Sequence, residues 1–122
     1  MSKKGTRELT ALRRRINERV RQTFVHCAQE VKRSVVEGSE ITGAPGQPVD
    51  TGYLKNSWTD RFTSDGKWEL TTNVDYAPII EDNARGAEFT TGGPHSVRLT
   101  RDGFDRIVEH VDRELGPFQN TR

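Results

Sequence analysis

At 122 residues the chain has room for one domain with a modest core. Charged residues make up 30% of it and apolar residues 31%, which excludes a large buried interior, and a net charge of +1 excludes a globally basic nucleic-acid binder. A single cysteine, Cys27, excludes an internal disulfide and fits a reducing compartment.

Residues 7–37 predict one long helix. Leu9, Leu12, Ile16, Val20, Phe24, Cys27, Val31 and Val35 recur at steps of three and four, which places them on one stripe, and no Gly or Pro interrupts them. Thr6 is placed to cap the start and Gly38 to follow the end as a C′ residue. Such a helix would be about 46 Å long at 1.5 Å per residue. A compact domain of this length is roughly 35 Å across. The helix is therefore expected to overhang its own domain or to kink, and an overhanging apolar stripe needs a partner to cover it. The same segment carries the chain's charge asymmetry. Residues 1–37 hold ten basic and four acidic residues, a local charge of +6 against +1 for the whole chain, so residues 38–122 carry −5. That imbalance points to an anionic partner or to a complementary surface on another subunit.

Residues 38–50 are rich in Gly and Pro and predict a loop that is long for so small a domain. Asp50 or Thr51 is placed to cap a short helix running to about Asn56. Trp58, Asp60 and Phe62, then Trp68, Leu70, Thr72 and Val74, alternate with polar neighbours across Asp65-Gly66, so residues 57–75 predict a hairpin. Tyr76 to Asp82 predicts a short helix or turn. Residues 83–99 predict a punctuated loop in which Glu88–Thr91 and Ser96–Leu99 form short edge strands. The last helix is expected over residues 103–115, capped by Asp102, with Phe104, Ile107, Val108, Val111 and Leu115 on its inner face and Gly116-Pro117 stopping it. The pattern is that of a single α+β domain over residues 1–122, with a long N-terminal and a C-terminal helix packed on a small antiparallel sheet.

No residue set makes a catalytic, cofactor or metal site expected. His26, His95 and His110 lack the spacing of shared metal ligands, and His26 and Cys27 point about 100° apart on a helix. A cysteine on a core stripe has neither the access nor the low pKa a nucleophile needs. Asp50-Thr51-Gly52 has the tripeptide of retroviral-type aspartic proteases, but it precedes a helical stretch and helix capping accounts for it. Gly92-Gly93 and Gly43-Ala44-Pro45-Gly46 lack the Lys-Ser/Thr ending of a phosphate loop. Trp58, Trp68 and Phe62 are expected to pack the hairpin against the helices. Arg13, Arg14, Arg15, Arg19 and Arg21 lie mostly off the apolar stripe. They read as a solvated face, as a contact to another subunit, or as a contact to DNA phosphates. No apolar run approaches the roughly 20 residues of a membrane span, and Met1-Ser2-Lys3-Lys4-Gly5 has no apolar stretch behind it, so neither a membrane association nor a secretory signal is expected.

Two ordered fragments add to this reading. Residues 48–57 run P-V-D-T-G-Y-L-K-N-S, and Tyr76-Ala77-Pro78-Ile79-Ile80-Glu81 follows one hairpin later. In Pro48, Asp50, Thr51, Gly52, Leu54 and Ser57, and again in Tyr76, Ala77 and Glu81, the chain resembles the tail-completion (head–tail joining) proteins of the neck of tailed phages. The order of elements agrees over nearly the whole length. After Glu81 the chain departs, with Asp82-Asn83-Ala84-Arg85-Gly86 in place of a short F-G-T. The resemblance implies a non-enzymatic virion protein assembled in the bacterial cytoplasm, forming a homo-oligomeric, hexameric ring. Its neighbours would be connector or stopper proteins on one side and tail-tube or tail-terminator proteins on the other, with genomic DNA passing through the bore. The motif residues would then be structural: Asp50 and Thr51 capping, Gly52 allowing a tight approach, and Tyr76 packing beneath the sheet. The alternative is a small nucleic-acid-binding protein with a basic helix.

Overall fold

The computed structural model describes residues 3–48, 53–83 and 92–118. Its elements are α1 (Lys3–Val36), α2 (Tyr53–Asn56), β1 (Thr59–Phe62), β2 (Trp68–Thr71), α3 (Ala77–Asp82), α4 (Ser96–Asp102) and α5 (Phe104–Leu115). The fold is α+β: the long N-terminal and the C-terminal helices pack together, and a two-stranded antiparallel hairpin accompanies them.

Helix α1 is a single element of 34 residues, about 51 Å long. It begins earlier than the capping pattern predicts, so Thr6 lies within its first turns and not at its N-cap. Pairs one turn apart support its exposed faces, Glu18 with Arg21 at 2.6 Å and Glu30 with Arg33 at 3.5 Å. The helix ends where the sequence indicates. The amides of Glu37 and Gly38 both donate to the Arg33 carbonyl, and Gly38 takes φ +96°. The loop then folds back over the helix end. Gln47 donates its backbone amide to the Val36 carbonyl and its side-chain amide to the Val35 carbonyl, satisfying acceptors that the terminus would otherwise strand. Gly46 makes this return possible, because a Cβ there would lie 2.4 Å from the Glu37 carbonyl carbon.

Helix α5 runs antiparallel to α1, so that Arg19 meets Asp112 while Cys27 and Val31 meet Ile107 and Val111. Cys27, Ile107 and Val111 form the buried centre, flanked by Val31, Ile41 and Leu115. Beside it lies a chain of buried hydroxyls. Thr100 Oγ1 donates to the Ser96 carbonyl, and the Ala44 amide donates to Thr42 Oγ1. Ser34 Oγ sits 2.6 Å from Thr42 Oγ1 and 2.5 Å from Thr100 Oγ1. A hydroxyl donates one hydrogen. Thr100 has spent its own, so Ser34 donates to Thr100 and Thr42 donates to Ser34. The relay ties α1, the 37–48 loop and α4 together through one proton direction.

Two expectations change here. Ser96–Leu99 is the start of helix α4 and not an edge strand, because the Glu81 carboxylate accepts the amides that open a helix there. Asp102 closes α4, and α5 starts from Gly103, whose amide bonds the Leu99 carbonyl. Glu88–Thr91 lies outside the described residues. The hairpin is as expected, with Phe62 opposite Trp68, Asp60 opposite Leu70, and Gly66 in the connecting turn at φ +82°. Two strands alone are marginal in water, and this pair is held to α1 by two contacts. Lys32 reaches Asp60 at 2.7 Å, and the Phe24 and Phe62 rings meet edge-on at 5.6 Å.

Candidate assembly surface

The apolar stripe of α1 is two surfaces in one line. At its C-terminal end Cys27 and Val35 are buried. At its N-terminal end Leu9, Ile16, Val20 and Phe24 are exposed by 53, 46, 62 and 40%. For Leu9 the cause is length, whereas Ile16, Val20 and Phe24 are level with α5 and only partly covered by it. Helix α5 has 12 residues against the 34 of α1, and its last residue, Leu115, is less than a turn beyond the Arg19–Asp112 pair. About 18 Å of α1, before Arg15, runs past the end of α5. Helix α1 continues through this region unbroken to Val36.

The five predicted contact arginines divide. Arg19 donates to the Asp112 carboxylate at 2.8 Å, and Arg21 forks onto Glu18. Arg15 is half-buried. Arg13 and Arg14 are exposed on the overhang, with no ion pair among the described residues.

Between them the hairpin, α3, α4 and the C-terminal half of α1 line an open groove of about 1140 Å³. Val31 and Val35 form one wall, Trp58, Trp68 and Leu70 the facing wall, and Val97 and Phe104 the far end. Alternation puts Trp68 and Leu70 on one face of β2, and both line the groove, while Glu69 is exposed on the other face. Trp58 and Trp68 therefore line a cleft, where the sequence leads one to expect closed packing against the helices. Phe62 is half exposed. The Trp58 indole N–H is buried without an acceptor among the described residues. Asp75 and Asp82 stand exposed on the rim, with no partner among the described residues.

The motif residues that are described do structural work. Leu54 is buried, and Ser57 donates to its carbonyl at 2.6 Å while accepting from the Thr72 hydroxyl at 2.5 Å. Pro48 closes the loop onto the 92–95 segment, Ala77 lines the groove, and Tyr76 is 42% exposed. Tyr76 thus does not pack beneath the sheet; it sits in a turn beyond the last strand, where the two-stranded sheet no longer reaches. Asp50, Thr51 and Gly52 lie outside the described residues. Glu81 has a role that spacing alone does not reveal. Its two carboxylate oxygens accept the Val97 and Arg98 amides at 3.0 and 2.8 Å, a charged cap at the start of α4 supplied from another helix.

The titratable groups argue for structure more than chemistry. Burial, with the Glu30 carboxylate adding to it, pushes the Cys27 thiol above its ordinary range, the opposite of what a nucleophile requires. The Lys32 ammonium and then the Trp68 indole, both donating to Asp60, hold its carboxyl below the usual range. Among the described residues no group of three His, Cys, Asp or Glu side chains is placed to hold a metal ion, and no helix is long and apolar enough to cross a membrane. Comparison of the chain with protein-family models, with curated proteins and with solved structures finds no match.

Proposed function

We propose that the protein is a structural subunit of the neck of a tailed phage, one that assembles with copies of itself into a ring joining or completing the tail at the head–tail interface. One observation carries the reading: an unbroken helix extends about 18 Å past the end of α5, and Leu9 on it and Ile16 and Val20 just behind it are exposed. Water-exposed apolar edges of this kind are found where another subunit covers them. The ordered pair of fragments, Pro48–Ser57 and Tyr76–Glu81, supplies the family resemblance. A homo-oligomer around a DNA-filled bore, with connector or stopper proteins on one face and tail-tube or tail-terminator proteins on the other, is the assembly that resemblance implies. No catalytic step belongs to this function.

The test is location. Labelled antibody against the chain should decorate the head–tail joint of particles of the phage that encodes it. Purified, intact virions that lack the chain refute the proposal. A second reading, direct contact with duplex DNA, is favoured by Arg13 and Arg14, exposed and with no ion pair among the described residues. It requires binding that weakens steeply with salt, and no binding at low ionic strength removes it.

A further inference from the structure

The groove and the overhang are two unsatisfied apolar surfaces on one chain. We propose that they satisfy each other between copies: the leading segment of α1 from one molecule seats in the Trp58–Trp68–Phe104 groove of the next. This deepens the assembly reading above and rests on it for its setting in a ring.

The occupant cannot come from the same molecule. Val31 and Val35 are a wall of the groove, and Leu9 lies 22 residues before Val31 on the same unbroken helix, about 33 Å away along its axis. A groove whose wall is the far end of the rod cannot receive the near end of that rod. The two surfaces nevertheless match in form. Leu9, Ile16 and Val20 present one narrow edge at spacings of seven and four, the pattern by which a helix anchors in an apolar groove. The groove exceeds the roughly 300–1000 Å³ of ordinary small-molecule pockets and opens to solvent along one side.

Charge selects the same pairing. Residues 4–16 hold five cations and one carboxylate, and Arg13 and Arg14 have no counter-ion among the described residues. The rim of the groove offers Asp75 and Asp82, also without partners there, while its one arginine, Arg101, is engaged with Asp102. Because a different patch is used on each partner, the contact is head-to-tail, and it propagates until it closes on itself.

That asymmetry provides the experiment. Leu9→Asp together with Ile16→Asp destroys the exposed apolar edge of the leading part of α1 but leaves the groove. Asp75→Lys together with Asp82→Lys alters only exposed rim positions and leaves the overhang, and Leu70→Asp is a second, more severe groove variant. Sedimentation velocity on the full chain, with circular dichroism confirming that each variant is folded, should show self-association of the wild type. Either class of variant alone should associate at least about tenfold more weakly. An equimolar mixture of one overhang variant and one groove variant should recover a heterodimer and stop there, since each keeps one intact half. Arg13→Glu with Arg14→Glu should be rescued by the rim lysines. A wild type that stays monomeric at all concentrations overturns the proposal. So does an oligomer that all groove variants leave unchanged, or a mixture that yields no heterodimer. In the second case the neck assignment still stands or falls on location in the virion, so the two failures are separable.

Discussion

Ser34→Ala followed by Thr100→Val tests the hydroxyl relay, and its magnitude follows from the geometry. Ser34 is fully buried, and Thr42 and Thr100 are each 3% exposed. Removing the Ser34 hydroxyl deletes two hydrogen bonds, worth about 1 kcal/mol each in net stability. It also leaves the Thr42 hydrogen without its acceptor, so the loss should reach about 2–3 kcal/mol. For 122 residues the unfolding entropy scales so that each kcal/mol lowers Tm by about 4 °C, a fall of about 8–12 °C. Thr100→Val alone strands the Ser34 hydrogen and should cost about 1–2 kcal/mol. On the Ser34→Ala background there is no such hydrogen to strand, so the second substitution should cost about 1 kcal/mol less. Urea unfolding at fixed protein concentration, followed by tryptophan fluorescence and by helical circular dichroism, measures all four corners of the cycle. Costs that add to within about 0.3 kcal/mol would show that the hydroxyls do not bond one another.

Other consequences are more local. Glu81→Ala should destabilise by about 1–2 kcal/mol, the range of a lost helix cap, with Glu81→Gln losing less; equal stability of all three forms in urea would remove the capping role. Ile107→Ala, at a fully buried position, should cost about 2–5 kcal/mol, and a shift below 1 kcal/mol would mean that α5 is not the centre of the core. The folded Asp60 carboxyl titrates below the ordinary range, so its contribution is present above the ordinary aspartate value and is lost as pH falls toward the folded value. The Trp68 indole resonance should shift in that acid window, and Lys32→Ala should move the transition upward; an indole signal blind to Asp60 contradicts the contact. The folded Cys27 thiol titrates above the ordinary range. Its contribution is therefore complete below the ordinary thiol value of about 8.5 and is lost as pH rises from there toward the folded value. A thiol reagent should label the native chain slowly and the urea-unfolded chain fast, and equal rates at pH 8 would contradict burial.

The long elements were legible because local rules dominate them. Eight apolar residues at helical spacing and an uninterrupted run to Gly38 specify α1 whatever surrounds it, and Asp65-Gly66 between alternating runs specifies the hairpin. Ser96–Leu99 was not legible. Val97 and Leu99 alternate with polar neighbours as in a strand, and the segment is helical because a carboxylate from Glu81, fifteen residues away from Ser96, accepts the amides at its start. The relay of Ser34, Thr42 and Thr100 was hidden for the same reason: three small polar residues from distant segments look solvated until the chain brings them together.

The apolar stripe itself is a property of the residues from Leu9 to Val35, and so is the basic character of its leading half. Which part of that stripe is covered depends on where α5 stops and how the 37–48 loop and α4 close over the far end. Helix periodicity is set by bonds between residues four apart, so it can be read along the chain. Burial is set by the reach of whichever neighbour arrives from elsewhere. Here that neighbour is too short, and the division of α1 into a core half and an uncovered half follows from the difference.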